Sequence, residues 1–452
     1  MKTIEYKGLW WVPSNKDRKV AGILYHIPGE EIRLELIGTF NPEAANSILA
    51  IFNAQNEDVI HGQDSDGQNI TLFESSCSIS HKGKAEFATS IYKSRVLAVG
   101  MHLNSLDDRR FFKATVKIPE LSYWLYPATV QQVHLDGENG KSLYVKMDQQ
   151  PNEEREVAKT QISGGYSVAL CRNATYHSGD FSFKPTFEQY TSLTIERKNN
   201  ASLKQFYEKA VGFERFMSLA TFREVGFSEL TLFSKDYFFT VGQGQVHYSP
   251  VFVDTVFHQK PCSKKIEKHL FIFDYEQIKD RYQEAIKQWF RKDEKFGAIR
   301  AHFLDSIDYH GPFSYINFLV IIQAVEGYGR RYLRKEIAAF RKTLPQERKS
   351  QPLLEILQTI FKHYSDVQKI NQNTDLEAIV QTRNYHSHLL PQKSQKTVEA
   401  LDLYDLTDEL RKVLLCCILS YLGLTSQSLT TVHCAVCSFI LRTSEEDLQQ
   451  DK

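Results

Sequence analysis

The sequence predicts an α+β protein: an all-β N-terminal domain, sandwich or open barrel, leading into an all-α helical bundle. Three observations carry that prediction. Apolar and polar residues alternate in short runs through about the first two hundred positions. Turn punctuation such as HIPGE (His26–Glu30) and DGENG (Asp136–Gly140) separates those runs. Beyond that point the apolar spacing changes to steps of three and four. At 452 residues the chain is also too long for one ordinary core. Composition divides it into residues 1–198, β-rich, 199–292, a connecting α+β region, and 293–452, helical.

In chain order, IRLELIG (Ile32–Gly38), KATVKI (Lys113–Ile118) and YTSLTIER (Tyr190–Arg197) each alternate as half-buried strands do. The polar run MDQQPNEERE (Met147–Glu156) reads as an exposed loop. Residues Ser202–Glu224 carry a helical period, and ELTLF (Glu229–Phe233) and YFFTVG (Tyr237–Gly242) are strand-like. From Phe273 the pattern is helical. A long helix is expected over Phe313–Phe340, with shorter ones at Leu353–His363, Thr374–His388 and Leu403–Gly423. Thr374-x-x-Glu377 reads as a capping box, and Pro391 places the end of its helix within a residue or two of His388.

The bulk properties narrow the function. Net charge is zero, 55 acids against 55 bases, which argues against a protein coated in nucleic acid by bulk charge and leaves local basic patches open. MKTIEYKGLWW carries no apolar signal segment, and the longest apolar runs, such as LLCCILSYLGL (Leu414–Leu424), are too short for a membrane span. Seven Cys without regular spacing point to reduced thiols and a cytoplasmic protein, in which sequons such as that at Asn173 have no role. No GxxxxGK[ST], H-E-x-x-H or G-x-S-x-G occurs, so nucleotide hydrolysis, zinc proteolysis and serine hydrolysis have no visible machinery. His433, Cys434 and Cys437 in HCAVC, with Cys416–Cys417 upstream, sit among apolar neighbours and read as buried thiols before they read as a zinc site.

Two stretches place Arg, Asn and a His five positions after the Arg: LCRNATYHSG (Arg172, His177) and QTRNYHSHLL (Arg383, His388). With 15 His in the chain such a spacing arises by chance roughly 0.7 times, so context must decide. Arg172 follows a β-like run and precedes a turn, which favours a structural role. Arg383 sits in the last turn of a helix, where a step of five residues turns by about 500° and leaves His388 some ~140° away. His386, at i+3, is nearer. Glu326 lies among Phe318, Val320, Ile321, Ile322 and Val325, where a charge is costly unless paired, and Arg383 is a plausible partner. Downstream, Arg330, Arg331, Arg334, Lys335, Arg341, Lys342, Arg348 and Lys349 form a positive stripe able to take up phosphates, or a solvated helix face.

RNYHSH (Arg383–His388) closing a helix resembles the R-x(4–6)-H motif of HEPN domains, including the Asn after the Arg. FLVIIQAVEGYGRRY (Phe318–Tyr332) resembles the first long helix of the ApeA-like branch, with Glu326 at the place of that branch's Glu. GLWWVP (Gly8–Pro13) and AGILYHIPGEEIRLELIGTF (Ala21–Phe40) are similar to the opening of the β domain that precedes HEPN in ApeA proteins. The resemblance covers both ends of the chain and the domain order, but not the middle, about 200–290.

It implies a metal-independent endoribonuclease without cofactor, used against phages through abortive infection. The β domain would sense infection or restrain the nuclease, and a phage protein would be the trigger. The chain would act as a homodimer or higher homo-oligomer, two motifs sharing one cleft. Carried over by position, Arg383 would hold the scissile phosphate. His388 would serve as general acid or base for attack by the ribose 2′-OH, leaving a 2′,3′-cyclic phosphate. Asn384 would orient the motif or the dimer contact, and Glu326 would hold Arg383 or help place the His. Arg330, Arg331, Arg334, Lys335 and His386 are the expected RNA contacts, although the extra His386 departs from the motif. The other readings are a non-catalytic RNA-binding or protein-interaction module, in which Arg383 and Glu326 form a structural pair, and a zinc-stabilised regulatory protein.

Overall fold

The computed structural model describes residues 3–40, 56–80, 89–125, 130–137, 140–147, 154–177, 186–242, 244–256, 271–308, 315–344, 352–365, 370–389 and 397–424. The chain falls into two compact units. The first, residues 1–122, 127–214 and 225–264, is β-rich; the second, residues 123–126, 215–224 and 265–452, is helical. The overall class is therefore α+β, as the change of apolar period predicts.

The strands are β1 (Ile4–Trp11), β2 (Val20–Ile27), β3 (Glu31–Leu36), β4 (Glu57–Asp64), β5 (Asn69–Ser80), β6 (Thr89–Lys93), β7 (Val96–Val99), β8 (Phe111–Lys117), β9 (Val130–Gly137), β10 (Gly140–Met147), β11 (Glu154–Ile162), β12 (Tyr166–His177), β13 (Thr186–Ala201), β14 (Glu229–Val241) and β15 (Gln245–Thr255). Thirteen of them form one sheet in the order β11-β12-β13-β8-β14-β15-β7-β5-β4-β1-β2-β3-β6, and β9 pairs with β10 separately. Because β5 also pairs with β6, strands β1 to β6 close into a ring, so the open-barrel expectation becomes a closed barrel with a sheet extending from it. Along β2 and β3 buried and less buried residues alternate strictly, and in β3 this is the alternation that IRLELIG shows in the sequence.

The branch point is β5. Ile70–Phe73 pair with β7 and Ser76–Ser80 pair with β6. Between the two halves Glu74 adopts a φ of 53°, a left-handed conformation that turns the strand from one partner to the other. Inside the ring Trp10, Leu24, Leu34, Leu36, Ile60, Ile70 and Leu72 form the core. Trp10 is fully buried, and room for its ring depends on Gly62, where an added Cβ would lie 2.3 Å from ring carbons. The far end of this unit is held by His26, whose Nε2 lies 2.6 Å from Asp254 Oδ2, an oxygen that also accepts from Gly29 N–H.

The stretch 199–292, expected as a connecting region, is divided between the two units. Its strands β14 and β15 lie in the middle of the large sheet, and ELTLF and YFFTVG form one continuous strand. That hairpin joins its neighbours at its base, where β14 meets β8 over Glu229–Ser234 and β15 meets β7 over Phe252–Thr255, and further out Tyr248 packs on Phe112 and Asp236 meets Arg110. Beyond the base, Phe238, Phe239, Val241, Val246 and Tyr248 are exposed.

The helices are α1 (Pro119–Trp124), α2 (Leu203–Thr221), α3 (Tyr275–Ile278), α4 (Tyr282–Trp289), α5 (Glu294–Asp308), α6 (Tyr315–Tyr332), α7 (Arg334–Thr343), α8 (Pro352–His363), α9 (Leu376–His388) and α10 (Ala400–Tyr421). In the helical unit α6 is central, packing against α5, α8, α9 and α10. Phe318, Ile321, Ile322 and Val325 supply its buried stripe. At Gly329 an added Cβ would meet Ile356 Cγ2 at 2.5 Å, so glycine permits the close approach of α6 and α8.

Two helix boundaries differ from the sequence reading. The helix expected over Phe313–Phe340 breaks at Leu333 (φ −115°, ψ 30°) into α6 and α7, because the apolar stripe ends there and α7 buries no residue. The expected Thr374 capping box moves on by one residue. Asp375 is the cap, its carboxylate accepting from Ala378 N–H, while the Thr374 hydroxyl donates to Asn371 O. The polar run Met147–Glu156 lies mostly outside the described residues.

Gly62→Ala is expected to lower the stability of the β unit by about 1–3 kcal/mol, the usual cost of overpacking, measured by denaturant unfolding followed through tryptophan fluorescence. An unchanged midpoint would mean that the Trp10 ring moves aside without cost.

Candidate active site in the helical unit

Helix α9 carries Arg383, Asn384, His386 and His388, and α6 carries Glu326, Arg330 and Arg331. The two helices meet at the carboxylate of Glu326. Its Oε2 lies 3.5 Å from Arg383 Nη2 and its Oε1 lies 2.6 Å from Arg330 Nη2, one helical turn further along α6. The Glu326 side chain is only 15% exposed, Arg383 25% and Arg330 60%. A carboxylate so placed beside the Val325 stripe needs cations, and it has one on each oxygen. The pairing of Glu326 with Arg383 anticipated from the sequence is therefore present. Arg383 Nη1 also donates to Asn384 Oδ1 at 3.1 Å, which fixes the guanidinium plane. Arg383 Nε is buried with no hydrogen-bond partner among the described residues, while each Nη carries two N–H groups, of which Asn384 and Glu326 take one apiece.

The two His of the motif have different surroundings. His386 stacks on Tyr315, the first residue of α6, with ring centroids 3.8 Å apart. Burial pushes its imidazole below the usual range, with Glu399 pulling the other way, and its Nε2 is buried without a partner among the described residues. His388 is exposed and is the last residue of α9. The helix stops immediately after it because Leu389 is left-handed (φ 49°), with its N–H on Tyr385 O. The chain therefore stays helical through His388, and Arg383 and His388 keep the ~140° separation of an ideal helix. Tyr315 has no signal in the sequence beyond being an aromatic residue at a helix start.

Among the described residues of the basic stripe, Arg330 shares a carboxylate with Arg383. Arg331 donates to Lys295 O and Arg334 Nε to Arg330 O, while Lys335 is exposed. Arg341 pairs with Glu355 at 3.6 Å, and Arg348 and Lys349 lie outside the described residues. The end of α6 is tied down by Asp293, whose Oδ2 accepts from the hydroxyls of both Tyr332 and Tyr421. A cavity of about 460 Å³ near the start of α9 is lined by Asp375, Asp402, Asp405, Asp408 and Glu409 against Lys412, a charge balance that repels phosphate.

The other Arg–His copy lies in the β unit. Arg172 is inside β12, opposite Arg155 and Thr191, and His177 ends that strand. His433, Cys434 and Cys437 lie outside the described residues. Cys416 and Cys417 are buried core thiols, and burial pushes Cys416 up to about 12. No helix among the described residues is long and apolar enough to cross a membrane.

Set beside known proteins, residues 5–289 match the family described as ApeA N-terminal domain 1, and residues 319–428 match the family described as Apea-like HEPN. The first match runs through most of 199–292, the stretch in which the sequence reading found no likeness. No curated protein and no solved structure matches the chain.

Since the ring of Tyr315 contributes to the burial of His386, Tyr315→Ala is expected to raise the His386 pKa toward 6.5, followed by NMR titration with His386→Gln for assignment. In the parent chain, acid below about 6.5 should cost stability, because the unfolded imidazole takes up the proton more readily than the folded one. A His386 titration unmoved by Tyr315→Ala would contradict the burial account.

Proposed function

Because the chain belongs to the ApeA family and carries an Apea-like HEPN domain in its helical half, we propose that it is a metal-independent endoribonuclease of anti-phage defence, acting through abortive infection. The observation that carries this reading is Arg383, oriented on α9 by Glu326 and Asn384 while each of its Nη atoms keeps a second N–H for a phosphate. Arg383 binds the scissile phosphodiester through its planar fork. His388, exposed at the end of α9, exchanges the proton of the ribose 2′-OH or of the leaving 5′ oxygen, the role an imidazole is suited to at cellular pH. The 2′ oxygen attacks phosphorus, the P–O5′ bond breaks, and the products are a 2′,3′-cyclic phosphate and a 5′-hydroxyl. Arg330, Arg331, Arg334, Lys335 and His386 contact the RNA around that centre.

The separation of Arg383 and His388 on one helix supports a cleft shared by two copies of the chain. Exposed aliphatic residues flank this helix end: Leu389 itself, Ile316 beside the Tyr315 that stacks on His386, and Leu401, three residues after the Val398 whose N–H bonds Thr382 Oγ1. In the shared cleft, Arg383 of one protomer would work with His388 of its partner. The β unit would sense a phage protein or restrain the nuclease.

The same separation also favours a second reading: a non-catalytic RNA-binding or protein-interaction module in which Glu326 and Arg383 form a structural pair. Cleavage assays separate the two. In EDTA the wild type is expected to cut RNA, Arg383→Ala and His388→Ala each to lose at least about 100-fold in rate, and Arg172→Ala to stay within about twofold. Mixing the Arg383→Ala and His388→Ala chains is expected to restore part of the activity. Intact RNA bound with steep salt dependence would favour the module, and activity that needs a divalent metal would overturn the proposed chemistry.

A further inference from the structure

Within the basic stripe the side chains are not equivalent. Arg331 is committed to Lys295 O, and Arg334 folds back on Arg330 O. Arg330 is joined to the centre instead: Glu326 Oε1 holds its Nη2 at 2.6 Å while Oε2 of the same carboxylate faces Arg383 Nη2 at 3.5 Å. The two guanidinium groups would repel each other if left alone, and the carboxylate between them lets both stay at one place. Two cations and one anion leave that place with one net positive charge, matched to a single phosphodiester. Exposure divides the work: the Arg383 side chain is three-quarters buried and fixed, whereas that of Arg330 is 60% exposed.

We propose that Arg330 is a second phosphate-binding residue of the site, held beside Arg383 by the shared Glu326 carboxylate, and that it engages the RNA backbone next to the phosphate that Arg383 holds. This rests on the RNA-cutting reading for its substrate. Arg330 supplies binding, present in the bound and the reacting complex alike, whereas Arg383 also serves the reacting phosphate. Glu326 is a positioning residue, since it reaches the RNA only through the two arginines. Arg330 is 60% exposed and Arg383 still meets the Glu326 carboxylate when Arg330 is removed, and the folding of Arg330→Ala is checked by its thermal unfolding before binding is compared.

The test measures binding and cleavage separately. A fluorescent all-2′-O-methyl RNA oligonucleotide, which has no nucleophile, reports binding by anisotropy across a salt series, and ordinary RNA reports kcat and KM. Arg330→Ala is expected to weaken oligonucleotide binding about tenfold, to reduce the slope of log affinity against log salt by about one, and to raise KM with kcat within about threefold. Arg330→Lys should recover part of the affinity. Joined to Glu326→Gln, Arg330→Ala should show a smaller effect than it does alone, because the carboxylate no longer holds the arginine beside Arg383. An Arg330→Ala effect no larger than that of Arg334→Ala would reduce Arg330 to one charge among many and overturn the proposal, as would strict additivity with Glu326→Gln. A wild type that binds the oligonucleotide but cuts no RNA would defeat the nuclease reading alone, leaving the affinity comparison to judge Arg330.

Discussion

A carboxylate at the edge of an apolar helix stripe is costly unless cations meet it, and the helical unit is arranged around that constraint. Glu326 sits one residue after the buried Val325 and is answered by Arg330 from its own helix and Arg383 from α9. The pairing fixes the register of α9 against α6 at the point where the RNA chemistry is proposed. It also explains why an arginine can be three-quarters buried without being consumed by the core. The carboxylate neutralises part of its charge, Asn384 sets its plane, and each Nη keeps a second N–H. The aromatic contacts act in support. Tyr315 holds His386 on the same side, and the two tyrosine hydroxyls on Asp293 secure the far end of α6.

The β unit solves a different problem. Six strands close on themselves, which removes their edges, and β5 then leaves the ring to begin a wider sheet. The change of partner is achieved at one residue, Glu74, by a backbone conformation that L-amino acids seldom adopt. Such a position offers no apolar or polar pattern to read. What is legible there is the alternation on either side of it.

The same contrast runs through the whole molecule. Strand β3 and helices α8 and α10 are readable because burial imposes a period on the sequence, whereas α9, which buries Ile379 and Thr382, is marked by its capping residues and Pro391. The split of Phe313–Phe340 at Leu333 was not readable, because a helix former continues the pattern after the buried stripe has ended. The cap of α9 was misplaced by one residue because Thr374 and Asp375 are both competent caps and only the hydrogen bonds choose between them. At the site, Glu326 was legible as a charge among apolar residues and Arg383 as its partner. Tyr315 and the special status of Arg330 were not, since each depends on which side chain across the bundle it meets.

In the proposed reaction a phosphodiester held by Arg383 is opened by the RNA's own 2′-hydroxyl, with the protein supplying charge and a proton carrier. End-group mapping tests this most directly: RNA digested by the wild-type chain in EDTA is sequenced after treatments that distinguish cyclic phosphate, open phosphate and hydroxyl termini. The expected products carry 2′,3′-cyclic phosphate and 5′-hydroxyl ends, and DNA of the same sequence stays intact. Products with 3′-hydroxyl and 5′-phosphate ends, or equal cutting of DNA, would contradict that reaction.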